Sequence, residues 1–441
     1  MSDWTTCPLS ELAEIRVSNV DKKSMPGEKP AQLCNYMNVY SNAYITASLE
    51  FMQSTASAVE REKFKVSSGD VIITKDSETP FDIGIPAVVM DDISELVCGY
   101  HLALIKPDKE KVNSVYLSKQ LASSSVAKYF SRMAAGSTRY GLSNGAIAAT
   151  AIPLAPKKLQ QKIAAILVTL DQTIKKTEAL IHKYQQIKAG LMHDLFTRGL
   201  TADGKLRPSR DQAPELYQET LIGWIPKEWG CDQIANLLGP VANNMRSGPF
   251  GSALLKAELV EEGVPFLGID NIHVENFVPI FRRFVSEKKF RELSKYAVKP
   301  RDVVITIMGT VGRCALVPNY IDNALSSKHL WAMTFDQEKV VPELICWQLN
   351  FAEWVKSWFR RETQGGIMDA IQSKTLKTLR LPIPPPQEQE RIFERYNAIK
   401  TKIDSERDNL EKLQKQKSGL MHDLLTGKVP VTIEQAEPAH V

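Results

Sequence analysis

Leu191-Met192-His193-Asp194-Leu195 returns 229 residues later as Leu420-Met421-His422-Asp423-Leu424. At the same offset, Ile152-Pro153-Leu154-Ala155-Pro156 returns as Leu381-Pro382-Ile383-Pro384-Pro385. Working outward, Gly69-Asp70-Val71-Ile72-Ile73-Thr74 matches Arg301-Asp302-Val303-Val304-Ile305-Thr306, and His101-Leu102 matches His329-Leu330. Trp4 with Trp229 and Met37-Asn38-Val39 with Asp270-Asn271-Ile272 extend the alignment, the offset drifting between 225 and 233 as loops gain or lose residues. A repeat this long means that one architecture is built twice. Each half reads as a globular region of about 150 residues, a proline-marked boundary and a long helix.

The helices carry the clearest pattern. Alternating steps of four and three from Ile163 pass through Leu167, Leu170, Ile174, Thr177, Ile181, Tyr184, Lys188, Leu191 and Leu195, of which eight of ten are apolar. Adding 229 gives Ile392, Tyr396, Ile399, Ile403, Glu406, Leu410, Leu413, Lys417, Leu420 and Leu424, again eight of ten. A sustained 3.5-residue period predicts a coiled coil. Parallel pairing would put Lys188 in one layer with Lys417 and bury like charges. Antiparallel pairing avoids this, setting Lys188 opposite Ile399 with its amine directed outward along an apolar stem. The seam from 163 to 195 spans roughly 48 Å at about 1.5 Å per residue. The globular regions then sit at opposite ends of it, related by an internal pseudo-two-fold axis.

The globular regions mix short β-rich runs (Asp70 to Thr74, Ala87 to Met90, Asp302 to Ile307, Ala315 to Val317) with helical stretches (Val115 to Met133, Val341 to Arg361). The fold class expected is α+β: two similar mixed α/β domains separated by a two-helix antiparallel coiled coil. The expected boundaries are 1–155 for the first domain, 156–200 for the central helix, 201–228 for a linker, 229–384 for the second domain, 385–427 for the second helix and 428–441 for a tail. Strand order is not legible at this level.

Composition excludes several classes. Hydrophobic residues at 43% and charged residues at 24% of 441 are ordinary globular values. No apolar run approaches the roughly 18 residues of a membrane helix, and the start of the chain lacks a signal-peptide pattern. The six cysteines are scattered without a CxxC pair, which points to neither zinc nor a disulfide framework and fits a reducing cytoplasm. Lys+Arg against Asp+Glu count 15 and 17 over residues 1–155, and 19 and 16 over 229–384. A nucleic-acid partner would therefore be met by local basic surfaces rather than by overall charge. No phosphate loop, HExxH or methyl-donor motif occurs, so no cofactor, metal or catalytic residue is expected.

Several strings in fixed order carry a family resemblance: Ile222-Gly223-Trp224-Ile225-Pro226-Lys227-Glu228-Trp229, Ser247-Gly248-Pro249-Phe250-Gly251-Ser252, Gly263-Val264-Pro265-Phe266-Leu267, Gly309-Thr310-Val311-Gly312, and the Pro-rich helix start Leu381 to Gln389. With the duplicated helix ends, they make nearly the whole chain resemble the specificity (S) subunit of type I restriction-modification enzymes. The resemblance implies two target-recognition domains, each reading half of a bipartite double-stranded DNA target, with the helices setting the spacer. It also implies docking of two modification subunits, which methylate adenine, and association with restriction subunits carrying motor and nuclease. The first half departs from the pattern: it has no GPFGS-like string, and Lys75-Asp76-Ser77-Glu78 stands where the second half has Ile307-Met308-Gly309-Thr310.

Base-reading side chains should be long hydrogen-bonding groups on exposed loops. In the first domain the candidates are Ser137, Thr138, Arg139 and Tyr140, between Gly136 and Gly141. Their counterparts in the second are Arg360, Arg361 and Gln364, joined by Arg246, Ser252 and Lys256 around the GPFGS-like loop and by Arg313. Each loop also reads as a plain turn with solvated charges. Arg282, Arg283, Lys288, Lys289 and Arg291 form either a phosphate-contacting cluster or a solvated surface. His101 and His329 are expected to make structural hydrogen bonds, and Asp194 and Asp423 to be exposed helix residues. The competing function is a coiled-coil scaffold that binds proteins and no DNA. Its contact loops should be aromatic and apolar, whereas these carry Gly, Ser, Thr, Arg and Gln.

Overall fold

A computed structural model describes residues 4–363 and 371–431. The chain divides into two compact units, one formed by Met1–Ala179 with Arg407–Val441 and the other by Leu180–Glu406. The two long helices, Lys157–Thr197 and Pro386–Leu425, each contribute one part to each unit.

In the first unit the central sheet runs in the order Ala13–Val17, Leu102–Pro107, Val71–Thr74, Pro86–Val89, Tyr44–Ile45, antiparallel except for the last pair. Val71, Ile73, Ala103 and Ile105 face a core shared with the helix Ser114–Leu121, while Ile72, Leu102 and Leu104 face a second core on the opposite side. Burial on both faces explains why Val71-Ile72-Ile73 reads as a continuous apolar run rather than an alternation. A separate pair, Thr5–Pro8 with Ala151–Leu154, ties the start of the domain to the residues just before the long helix.

The second unit is built alike. Its four-stranded antiparallel sheet has the order Met245–Arg246, Leu330–Met333, Val303–Thr306, Cys314–Leu316. The pair Gly230–Gln233 with Arg380–Ile383 repeats the closing pair of the first unit. Side-chain details repeat as well. Gln160 and Gln389 sit at the two helix starts, each accepting from a backbone N–H ahead of a domain helix (Asn113, 2.7 Å; Val341, 2.8 Å). Asp70 and Asp302 each accept from the N–H three residues back, at Ser67 and Lys299.

Each helical stretch anticipated as one piece is two. Ser114–Leu121 and Ser124–Met133 are separated at Ser123, whose side chain caps the second helix at Val126. Pro342–Phe351 and Glu353–Thr363 are separated at Ala352, whose backbone is extended. Residues 201–228 hold a hairpin, Tyr217–Thr220 with Gly223–Pro226, and a buried ion pair from Arg207 to Glu388. Leu200 N–H and Trp229 Nε1 also donate to Glu388, which secures this stretch to the second long helix.

The long helices pack antiparallel within each unit. In the first, Ile163, Ala164 and Leu167 share a core with Leu424 and Leu425, and Asp171 meets Lys417. In the second, Met192, Leu195 and Phe196 share a core with Ile392 and Tyr396. Rising numbers on one helix thus meet falling numbers on the other. Ile163, Leu167, Ile181, Ile392 and Ile403 are buried, and Leu170, Ile174, Leu191, Ile399, Leu410 and Leu413 half-buried. Two seam expectations are corrected. Leu420 is 37% exposed, and Met421 packs in its place, because a straight helix drifts against a 3.5-residue period. Lys188 does not direct its amine outward: it pairs with Glu275 and lies over the rings of Tyr396 and Phe351. A carboxylate and two aromatic faces inside the unit attract the ammonium more than water does at that depth.

Candidate nucleic-acid interface

In the first unit the loop from Gly136 to Gly141 is held by backbone. Tyr140–Gly141 pairs antiparallel with Asp76–Ser77, and Ala135 and Gly141 exchange hydrogen bonds. Gly136 has φ +148, and a Cβ there would meet Arg139 O at 1.9 Å, so only glycine closes the turn. Ser137, Thr138 and Arg139 are exposed and Tyr140 half-buried. Arg139 Nη2 lies 3.1 Å from His101 Nε2, and His101 Nδ1 lies 2.6 Å from Asp76 Oδ2. Lys75 Nζ approaches the other carboxylate oxygen at 3.3 Å. The loop, the strand Asp76–Ser77 and His101 thus present Arg, His and Lys together on one edge.

In the second unit the GPFGS-like loop covers a hollow of about 410 Å³ with apolar walls from Leu254, Leu259 and Phe266. Lys256, Arg283, Lys328 and His329 line its polar side. Burial, and then the charges of Lys328 and Arg283, push the His329 pKa down. Ser327 Oγ and Arg283 Nε are buried without a hydrogen-bond partner. Asp270 pairs with Arg283, while Lys256 and Lys328 keep this side of the hollow positive and, with the unused donors, suit an anion such as a DNA phosphate. A second hollow of about 380 Å³ is lined by Arg313, Arg282, His273 and Thr310. Gly309 and Gly312, the sequence neighbours of Thr310 and Arg313, both have positive φ.

The anticipated residues therefore fall into groups. Lys256 joins the first hollow and Arg313 the second; Ser252 is exposed but lines neither. Arg360 and Arg361 are exposed near the end of the helix Glu353–Thr363, and Gln364 lies outside the described residues. Of the basic cluster, Arg282 and Arg283 line the hollows, Arg283 paired there with Asp270, and Lys289 is engaged by Glu258 at 2.7 Å. Arg246 is corrected. It is 6% exposed, pairs with the fully buried Asp302, and donates to Ala297 O, Asn243 O and Thr334 Oγ1. Burial pushes the Asp302 carboxyl up, Arg246 draws it back, and burial lowers Arg246 itself. Arg246 is the counter-charge of an interior carboxylate rather than a base reader, because an unpaired buried Asp302 would be too costly. Sequence reasoning missed Asp76 and Lys328; the hydrogen bonding expected of His101 is observed, to Asp76 and Arg139. The signal available was His101 matching His329 beside dissimilar neighbours.

The family model described as the type I restriction modification DNA specificity domain matches residues 1–187 and 251–415. The chain belongs to this family. Among specificity subunits it is 25% identical over 432 residues to the putative type I restriction enzyme MjaX specificity subunit of Methanocaldococcus jannaschii, covering 97% of this chain and 94% of that one. It is 27% identical over 287 residues to the MjaVIII specificity subunit of the same organism, covering 64% and 62%. The fold is shared with the S subunit of a type I restriction-modification system from M. genitalium, with a TM-score of 0.57 at 15% identity and 96% of each chain covered. Among the described residues, no helix of this specificity-family chain is long and apolar enough to cross a membrane.

Proposed function

We propose that this chain selects the DNA sequence for a type I restriction-modification complex and performs no chemistry of its own. The domains over 1–155 and 229–384 each read one half of a bipartite double-stranded target. The helices over 156–200 and 385–427 set the spacer and dock two modification subunits, with restriction subunits completing the complex. Residues 201–228 link the two halves; of the stretch 428–441 assigned as a tail, residues 432–441 lie outside the described residues. The observation that carries the reading is the duplication itself: two similarly built domains, each presenting basic and hydrogen-bonding side chains, joined by continuous helices of 41 and 40 residues. Two-fold DNA readers place equivalent surfaces about one helical turn apart, roughly 34 to 36 Å, a distance that helices of this length can span. In the first domain Arg139 is the proposed base reader; in the second, Lys256 and Arg283 hold phosphate while Arg313 faces bases. All six cysteines are free thiols, in keeping with work in the cytoplasm.

Methylation-sensitive sequencing of DNA from cells expressing the chain with its modification subunits tests this reading. A methylated adenine in a bipartite motif is expected, with no methylation when the chain is expressed alone. Absence of any bipartite motif in the co-expressing cells overturns it.

A further inference from the structure

The geometry points to His101 as a positioning residue that, oriented by Asp76, holds Arg139 for reading a guanine in the first half-site. This rests on the reading that the first domain contacts DNA through the loop at 136–141.

Asp76 Oδ2, His101 and Arg139 stand in file, at 2.6 Å and 3.1 Å. A carboxylate only accepts and a guanidinium only donates. The imidazole between them must therefore carry its hydrogen on Nδ1 and turn the Nε2 lone pair toward Arg139, which assigns a single tautomer to His101. One of the five guanidinium N–H groups is taken this way, and enough remain to meet guanine O6 and N7.

The frame around the file is built from backbone. Lys75 N–H donates to His101 O at 2.8 Å and Leu142 N–H to Lys75 O at 2.9 Å, so the strand Asp76–Ser77 is tied to both partners. Lys75 Nζ steadies the second Asp76 oxygen. The Tyr100 ring lies 3.7 Å from the imidazole, centroid to centroid. His101 itself has φ +69, a left-handed conformation that few side-chain-bearing residues adopt and that Asn, Asp and His tolerate best. Strained backbone of this kind is retained where the surroundings hold a side chain in place. The second domain keeps the histidine as His329 but has Met308 where Asp76 stands, so it cannot fix the tautomer in the same way. The departure of Lys75-Asp76-Ser77-Glu78 from the second half thus acquires a role.

Three variants of the full chain, each co-expressed with its modification subunits, separate the outcomes: Arg139→Ala, His101→Asn and Asp76→Asn. Asparagine suits the backbone at 101 but cannot bridge to Arg139, and Asp76→Asn is isosteric, which protects the test against misfolding. The readouts are the methylated motif and binding to duplexes substituted one base pair at a time. All three variants should relax the same guanine position of one half-site, lowering discrimination there about tenfold or more, and leave the other half-site intact. If Arg139→Ala leaves the motif unchanged, the reading of the loop fails and this inference with it. If Arg139→Ala relaxes the position while both other variants keep it, the inference alone is overturned. Uniform weakening across all positions for the Asp76 and His101 variants would show a purely structural role and also overturn it.

Discussion

Lys417 Nζ stands 2.6 Å from Asp171 Oδ1, and the other oxygen of Asp171 takes Lys119 Nζ at 2.5 Å and the Tyr44 hydroxyl at 2.7 Å. One half-buried carboxylate of the first long helix thus serves the second long helix and the sheet domain at once. Burial alone would raise the Asp171 carboxyl, but the bonds from Lys119, Lys417 and Tyr44 outweigh it and hold the pKa below the usual range.

Unequal costs follow from that arrangement. Asp171→Asn strands Lys119, which is 5% exposed, and should destabilise the protein by about 3 kcal/mol. Lys417→Met leaves Asp171 paired and should cost less than about 1 kcal/mol. Urea midpoints of the two variants provide the comparison. Because the folded carboxyl titrates lower than the unfolded one, its contribution is complete above about pH 4 and disappears as pH falls through the depressed value. Asp171→Asn should therefore flatten the acid limb of the stability profile.

Seven residues inserted after Ala179 and seven after Glu406 should lengthen the recognised spacer. One heptad adds about 10.5 Å while preserving the apolar face, equivalent to about three base pairs. Methylome sequencing should report both half-sites unchanged and the gap between them longer. Altered half-sites with an unchanged gap would refute the role of the helices as a spacer.

Arg246→Met should act on stability and not on sequence choice. It leaves Asp302 charged or newly protonated in the interior, at a cost of about 3 to 5 kcal/mol. Thermal unfolding measures that loss, and the motif methylated by the surviving protein should be unaltered. A changed second half-site without loss of stability would return Arg246 to base reading.

Lys328→Ala should weaken binding to every duplex alike. Loss of one phosphate contact makes the plot of log affinity against log salt shallower by about one unit. An unchanged slope with a shifted base preference would place Lys328 on a base edge instead.

Much of the architecture was legible because its signals are local. The 3.5-residue period marks both long helices, and the proline-marked strings at 152–156 and 381–385 locate their starts, observed at Lys157 and Pro386. Helix continuity was less legible: Ser123 and Ala352 break what the apolar spacing joins, since a cap or a single extended residue barely alters periodicity. The interface was least legible. Arg139, Lys256 and Arg246 look alike as loop cations, and only their surroundings separate a surface group from an interior counter-charge.

By itself the sequence determined that one design occurs twice, that two helices pair through apolar seams and that antiparallel pairing spares the lysine layers. Those properties depend on residue type at short, regular spacing. The tertiary structure decided where Lys188 sends its charge, that Arg246 turns inward to Asp302, and that Asp76, His101 and Arg139 form a file across separations of 25 and 38 residues. Such pairings arise from strand order and loop closure, which bring together groups with no sequence relationship, and burial then selects which charges are neutralised within the fold and which remain for DNA.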